Sequence, residues 1–219
     1  MRQNVSLAEI SDGHLYKAND MVKADCGGCE GCSQCCRGMG SSIILDPYDV
    51  YRLTTGIGKS MQELLATSVE LNVVDGVILP NLKMQGTREA CAYLDTEGRC
   101  SIHPYRPGIC RLFPLGRHYE NGGLFYFLQT GECAKENRSK VKVSKWIDTP
   151  ELKRNEQFKL QWHDLLSAMT DRVAGEDEGK QREENLLLLR LFYLLPYEGT
   201  TDFYSQFTER MEHWNEQIG

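Results

Sequence analysis

The chain has 219 residues, a formal net charge of −6 and a pI near 5.5, and neither end carries a block of basic residues. This length allows one sizeable domain with a buried core, and the acidic balance argues against nucleic acid as a partner. The first twenty residues lack the apolar core of a secretory signal, and the longest apolar run, residues 186–195, is short and contains Arg190. We therefore expect a soluble, cytoplasmic protein with no membrane partner.

The predicted elements begin with a cysteine-rich stretch. Residues 26–40 are rich in Gly and Cys and show neither a helical nor a strand period, which predicts an irregular loop that can bend around a ligand. A short helix follows, because Asp46 is a typical N-cap and Pro47 suits the first helical position. Gly56 is predicted to end this helix.

A second short helix and a run of strands make up the middle of the predicted fold. Ser60 and Glu63 form a capping box for a helix over residues 61–69. Three apolar segments with turn residues at their centres are typical of β-hairpins. They lie at residues 73–79, 91–102 and 119–128.

The composition changes again near residue 141, where helical periods begin. Thr149 and Pro150 have the pattern of an N-cap followed by proline, and apolar residues then recur at helical spacing up to an acidic break at residues 175–179. A second helix is predicted over residues 181–195, and a third follows from a helical stripe. This stripe consists of Phe203, Phe207, Met211 and Trp214.

Together these patterns predict an α+β fold. It consists of an irregular cysteine-rich metal-binding domain with short helices and β-hairpins, followed by a C-terminal helical unit. We place the cysteine-cluster metal-binding domain at residues 1–140 and a helical extension packed on it at residues 141–219.

The strongest chemical signal is the series Cys26-Gly-Gly-Cys29-Glu-Gly-Cys32-Ser-Gln-Cys35-Cys36. Five cysteines in eleven residues are too crowded to pair comfortably as disulfides, and the total of nine is odd. Two intervening residues allow consecutive thiolates to converge on one ion or cluster, and the glycines allow backbone amides to turn toward sulfur. The series therefore predicts a metal site.

Four further cysteines follow, and we treat all nine as candidate metal ligands. They are Cys91, Cys100, Cys110 and Cys133. Cys91 and Cys100 flank a predicted turn, so a disulfide between them is an alternative. His103 is also a candidate ligand, although its position before Pro104 favours a structural role.

Two arginines are predicted to surround the thiolates. A site built from several thiolates carries net negative charge, which a buried environment penalises unless cations compensate it. Arg106 and Arg111 flank Cys110 in sequence, so their guanidinium groups could hydrogen-bond sulfur, pair with acidic neighbours or hold an anion.

The motifs as a set resemble those of a known family. The segments are Cys29-Glu-Gly-Cys32-Ser-Gln-Cys35-Cys36-Arg37, Cys91-Ala-Tyr-Leu-Asp95, Gly98-Arg-Cys100-Ser-Ile-His103, Arg106-Pro107 and Cys110-Arg111-Leu-Phe-Pro114. They resemble the YkgJ-type cysteine-cluster family, described as a "putative zinc- or iron-chelating domain", whose pattern also occurs in the flagellin lysine methylases. The resemblance implies that seven cysteines match the family's ligands, that Cys133 matches loosely and that Cys26 is an addition.

Spacing does not decide between iron and zinc. Zinc takes four ligands, whereas the adjacent Cys35 and Cys36 are expected to project in different directions and to suit a larger cluster or two neighbouring sites. An iron–sulfur cluster of the four-iron (4Fe-4S) type is our first choice of cofactor, and zinc is the alternative. The iron choice predicts a redox or radical-type role. The resemblance to the flagellin lysine methylases implies a link to protein lysine methylation, and hence a protein partner or protein substrate. The zinc choice predicts a structural or interaction module without catalysis.

Overall fold

The computed structural model describes residues 6–27, 32–135 and 137–218. It combines helices with two-stranded antiparallel sheets and is mainly helical after residue 142, which confirms the predicted α+β class with a helical C-terminal region. The α-helices are α1 (Leu7–Ile10), α2 (Pro47–Ile57), α3 (Met61–Thr67), α4 (Gly108–Leu112), α5 (Val143–Ile147), α6 (Leu152–Val173), α7 (Glu178–Leu189) and α8 (Phe203–Ile218). The strands are β1 (Met21–Asp25), β2 (Val69–Val74), β3 (Val77–Leu82), β4 (Met84–Gln85), β5 (Ala90–Cys91), β6 (Leu115–Glu120), β7 (Gly123–Leu128) and β8 (Ser139–Lys142).

Two of the predicted hairpins are confirmed. Strand β2 pairs with β3, and β6 pairs with β7, each across a two-residue turn. Asp75 and Gly76 have φ values of 50° and 82°, and Asn121 and Gly122 have φ values of 51° and 70°. Asn-Gly and Asp-Gly are the pairs that tolerate positive φ at both turn positions, so these turns could be recognised from the sequence.

The third predicted hairpin, at residues 91–102, is present only in part. Its strands are reduced to one isolated bridge between Leu94 and Cys100, and Cys91 belongs instead to β5, which pairs with β4. The turn between Leu94 and Cys100 is held by Asp95, whose carboxylate accepts hydrogen bonds from the amides of residues 97 and 99. The ladder does not extend outward from this bridge, because the Ala92 amide bonds the Lys83 carbonyl and the Leu94 amide bonds the Cys91 carbonyl.

Helix α2 begins as predicted but ends later. Asp46 accepts a hydrogen bond from the Asp49 amide, and the Asp49 carboxylate accepts one from the Asp46 amide, which forms a capping box. The helix passes through Gly56 and ends at Gly58, which adopts a left-handed conformation with φ 66°. Gly56 is instead covered by the Tyr105 ring, which would lie 2.2 Å from a Cβ added there.

Two of the C-terminal helices begin at positions other than those predicted. Thr149 does not cap α6; the N-cap is Glu151, with φ 49° and no capping side chain, so the chain enters the helix two residues later than expected. Helix α7 starts inside the acidic break, because the Asp177 carboxylate accepts hydrogen bonds from the amides of Gly179 and Lys180. An acidic N-cap thus starts a helix where the composition suggested a break.

Helix α7 continues into a short π-helix, Arg190–Leu194, whose carbonyls are bound by one arginine of α8. The buried Arg210 donates hydrogen bonds to the carbonyls of Leu191, Leu195 and Pro196 at 2.8, 3.0 and 2.8 Å. These carbonyls lack helical partners where the helix ends, so Arg210 satisfies them. Pro196 ends the helical segment, as predicted.

The core has one large and one small part. The large part joins α2, α3 and the β2–β3 hairpin to helices α6, α7 and α8, and the small part lies between β1, β6, β7 and α5. The pairing of β1 with β8 closes the small part and was not predicted. Residues before and after 140 therefore share a core, and the division into two domains stays a prediction.

Within the residues that the structure describes, no helix is both long enough and apolar enough to cross a membrane.

Candidate metal centre

A cavity of about 430 Å³ lies where the cysteine-rich loop meets the segment that ends in α4. We call it the cysteine-lined cavity, because six cysteines contribute to its wall. They are Cys32, Cys35, Cys36, Cys91, Cys100 and Cys110. The fold thus brings together thiols that are up to 78 positions apart in the chain, as counted from residues 32 and 110.

The other three candidate cysteines are placed differently. Cys29 falls outside the described residues. Cys26 and Cys133 are partly buried but do not line the cysteine-lined cavity, although the neighbouring Gly27 does. Cys91 and Cys100 are free thiols, so the alternative of a disulfide between them is not realised.

The adjacent pair Cys35 and Cys36 lies in a tight 3-10 turn, Gln34–Cys36. Both thiols line the cavity, and a hydrogen bond between them lowers the pKa of Cys35 to about 7 and raises the pKa of Cys36. The expectation that they project in different directions assumed an extended backbone, and the tight turn removes that condition. The pair can present two sulfur donors to the same space.

Burial raises the pKa of three other thiols of the cavity wall. Removal from water is the largest cause that raises the pKa of Cys91, Cys100 and Cys110, and the neighbouring thiols add to it. These thiols therefore stay protonated at neutral pH when no metal ion is bound. A thiophilic metal ion would displace their protons and supply the compensating positive charge.

Arg106 is the arginine that belongs to the cavity wall. Its positive charge acts on Cys35 and on Cys100, favouring the thiolate form of each. Its buried Nε atom has no hydrogen-bond partner within the described residues. A thiolate site next to this guanidinium would offer both a counter-charge and a hydrogen-bond acceptor.

Arg111 has a different environment from Arg106. It is 7% exposed, and it donates hydrogen bonds to the carbonyls of Asp148 and Pro104 at 2.7 and 2.6 Å. It is not among the residues that line the cysteine-lined cavity. Arg111 therefore ties the wall segment to the connection after α5 and does not face the thiols directly.

His103 lines the cavity together with an apolar wall. Burial, Arg106 and Arg111 lower the pKa of His103, which leaves its imidazole neutral at neutral pH. The apolar part of the wall was not recognised in the sequence, because its members are scattered along the chain. They are Ile43, Leu82, Met84, Ile102 and Phe113.

Sequence reasoning also missed the charged residues beneath the cavity. Asp49 is 2% exposed and Lys159 is 4% exposed, and both lie next to Gly108 at the start of α4. Asp49 can be recognised in the sequence only as part of a capping box. Its contact with a helix 59 positions later depends on the tertiary fold.

The donor set fits a thiophilic metal. Thiolate donors favour zinc, copper(I) and iron–sulfur centres over hard cations such as Mg²⁺. Within residues 6–27, 32–135 and 137–218, no three His, Cys, Asp or Glu side chains are arranged so that they could hold a metal ion as they stand.

Comparison with known proteins gives a match to one protein family. Neither the curated proteins nor the solved structures contain a significant match to it. One family model matches residues 28–139, which covers the CxxCxxCC series and every cysteine of the cavity wall. By this match the chain belongs to the CxxCxxCC family, described as a "putative zinc- or iron-chelating domain".

Proposed function

We propose that this protein holds an iron–sulfur centre in the cysteine-lined cavity and has a redox or radical-type role. One observation carries the proposal: six thiols from separate parts of the chain line one cavity of about 430 Å³. A tetrahedral zinc site uses four protein ligands, so six thiols exceed what one zinc ion needs. An iron–sulfur cluster also takes four cysteine thiolates, so the number of thiols favours neither metal. The cluster occupies more space than a single ion, and the cavity provides that space.

The residues of the cavity have distinct roles in this proposal. Cys32, Cys35, Cys36, Cys91, Cys100 and Cys110 are the candidate ligands, together with Cys29 in the adjoining stretch. Arg106 compensates negative charge on the sulfurs, and the apolar wall limits access of water to them. When bound, an iron–sulfur centre supplies one-electron redox chemistry, which the side chains alone do not provide.

The proposal extends to location and partners. A link to protein lysine methylation, with a protein partner or protein substrate, is supported by the resemblance of the cysteine motifs to those of flagellin lysine methylases. The free state of the six cysteines that line the cavity supports a cytoplasmic, reducing compartment. The formal charge of −6 supports the exclusion of nucleic acid.

The alternative is a zinc site that stabilises a structural or interaction module. It is favoured by the irregular wall of the cavity, which contains a two-residue strand, β5, and a one-turn helix, α4. Few backbone hydrogen bonds hold such segments in place, and a structural metal would supply that constraint.

The test is anaerobic purification followed by visible absorption spectroscopy and analysis for iron, sulfide and zinc. We expect brown protein with iron and acid-labile sulfide. The double variant Cys35→Ser, Cys36→Ser should lose the metal, whereas Cys26→Ser, Cys133→Ser, which changes two cysteines away from the cavity, should keep it. Colourless protein with stoichiometric zinc would reject iron in favour of the alternative, and metal-free protein would reject both.

A further inference from the structure

Three charged side chains from different elements surround Gly108, which lies between Pro107 and Cys110 of the cavity wall and the helices that follow. The Gly108 amide donates a hydrogen bond to Asp49 Oδ1 at 2.7 Å. A Cβ added at Gly108 would lie 3.1 Å from Arg117 Nη2 and 3.4 Å from both Asp49 Oδ1 and Lys159 Nζ. Helix α2, strand β6 and helix α6 thus each place a charged group against the first residue of α4.

The contact with Asp49 supplies the hydrogen-bond acceptor that the N-cap residue of helix α4 lacks. The residue at its N-cap is Pro107, which has no side chain that could accept a hydrogen bond from the first turn. The Asp49 carboxylate, which comes from α2, accepts the hydrogen bond of the first helical residue instead. Cys110 is two residues further along this one-turn helix, so the position of its thiol depends on how the turn is held.

Lys159 stabilises the neighbouring carboxylates of Asp46 and Asp49. Its buried ammonium group contacts the carboxylate of Asp46, and Asp46 and Asp49 are joined by the two hydrogen bonds of the α2 capping box. Without this cation, two neighbouring carboxylates would be buried with less compensating charge. Lys159 belongs to α6, which lies outside the residues that the family model matches.

We propose that Asp49 is a positioning residue for Cys110, and that Lys159 keeps Asp49 in place, so that helix α6 is part of the metal centre. This inference rests on the proposed metal-binding function. It goes beyond that function by assigning a role to residues that carry no sulfur and do not line the cysteine-lined cavity. It also gives the C-terminal helical region a function in the site.

The experiment uses Co²⁺ as the probe, titrated into the reduced, metal-free full-length protein under anaerobic conditions. The readouts are the dissociation constant and the intensity of thiolate-to-cobalt charge-transfer absorption per bound Co²⁺. We expect Asp49→Ala to bind Co²⁺ roughly 10- to 100-fold more weakly, as is common when supporting partners of a metal ligand are lost. The charge-transfer intensity should fall as well, because a thiolate is lost from the cobalt. Asp49→Asn should lose less Co²⁺ affinity and less charge-transfer intensity, since its side-chain amide oxygen can still accept the hydrogen bond of the Gly108 amide.

Asn185→Ala is the matched control. Asn185 is buried, accepts a hydrogen bond from the Ile78 amide at 2.6 Å and donates one to the Gly76 carbonyl at 3.1 Å. The variant therefore removes buried hydrogen bonds at the β2–β3 turn and leaves α4 untouched. We expect the Co²⁺ affinity and the charge-transfer intensity of this variant to equal those of the wild type.

The outcomes separate the inference from the proposed function. If the wild type does not bind Co²⁺, both fail. If the wild type binds but Asp49→Ala matches it in affinity and absorption, or Asn185→Ala loses as much as Asp49→Ala, only the inference fails. Should Asp49→Ala not fold, Gly108→Ala provides the test, because its methyl group crowds Arg117 and Asp49 without removing a charge. Wild-type Co²⁺ binding by Gly108→Ala would then overturn the inference.

Discussion

At the scale of single residues, the two arginines that flank Cys110 differ in a way that their sequence positions do not reveal. Arg106 lines the cysteine-lined cavity and acts on two thiols, whereas Arg111 is bound to the carbonyls of Pro104 and Asp148. Both are partly deprived of water, and both have a buried Nε atom without a partner in the described part of the chain. One is therefore expected to tune the metal centre and the other to hold its wall.

This difference predicts that two matched variants affect different properties, metal binding in one case and stability in the other. Arg106→Gln should weaken Co²⁺ binding roughly 10-fold, because a positive charge beside the thiolates is lost, with Arg106→Lys intermediate. Arg111→Gln should lower the free energy of unfolding by about 1–3 kcal/mol, because the partly buried hydrogen bonds from Arg111 to the Asp148 and Pro104 carbonyls are lost. Metal titration and urea denaturation of both variants measure the two effects. Identical behaviour of the two variants in both measurements would contradict the assignment.

At the scale of elements, the wall segment around Pro104 is attached to helix α2. Arg52 of α2 donates a hydrogen bond to the Pro104 carbonyl, and the Tyr105 ring covers Gly56. The absence of a side chain at Gly56 is what allows this close approach. The glycine that the sequence suggested as a helix end is instead a packing position within the helix.

We predict that Gly56→Ala is destabilising although alanine favours helix. A methyl group there would lie 2.2 Å from the Tyr105 ring, so the ring and the wall segment must move. Overpacking of this kind typically costs about 1–3 kcal/mol, which exceeds the gain of about 1 kcal/mol in helix propensity. Urea denaturation measures the change, and the double variant Gly56→Ala, Tyr105→Ala should recover most of it. A single variant more stable than the wild type would disprove the packing role.

At the scale of the whole molecule, the large core crosses the boundary between the family-matched part and the C-terminal helices. Phe158 and Trp162 of α6 and Phe207 of α8 pack in the same core as residues of α2, α3 and β3. The rings form edge-to-face contacts, with centroids 4.7 Å apart for Phe158 and Phe207. The N-terminal part therefore buries much of its apolar surface against the helices that follow it.

This shared core yields a prediction about the domain division. A fragment of residues 1–140 should lack a cooperative unfolding transition, because the apolar surfaces of α2, α3 and β3 would be exposed to water. Circular dichroism during urea denaturation of the purified fragment, with the full-length chain as control, measures this. A fragment that unfolds cooperatively and binds metal like the full chain would show that residues 1–140 are an independent domain.

Much of the fold could be predicted from local sequence patterns. The turns at Asp75-Gly76 and Asn121-Gly122 and the cap at Asp46 were recognisable because their signals lie within a few residues of each other. The hairpin predicted at residues 91–102 is limited to the Leu94–Cys100 bridge, because the Ala92 amide bonds the Lys83 carbonyl and the Leu94 amide bonds the Cys91 carbonyl. The β1–β8 pairing joins positions more than a hundred residues apart, and no local pattern indicates it.

The sequence by itself determined the family, the thiol chemistry and the α+β class, because cysteine spacing and apolar periodicity are properties of short stretches of chain. Only the tertiary structure decided which cysteines share a cavity, which arginine faces them and which buried charges support α4. The physical reason is that these relations depend on distances between elements far apart in sequence. Such distances are set by packing of the whole core, in which Asp49 and Lys159 meet Gly108 from different helices.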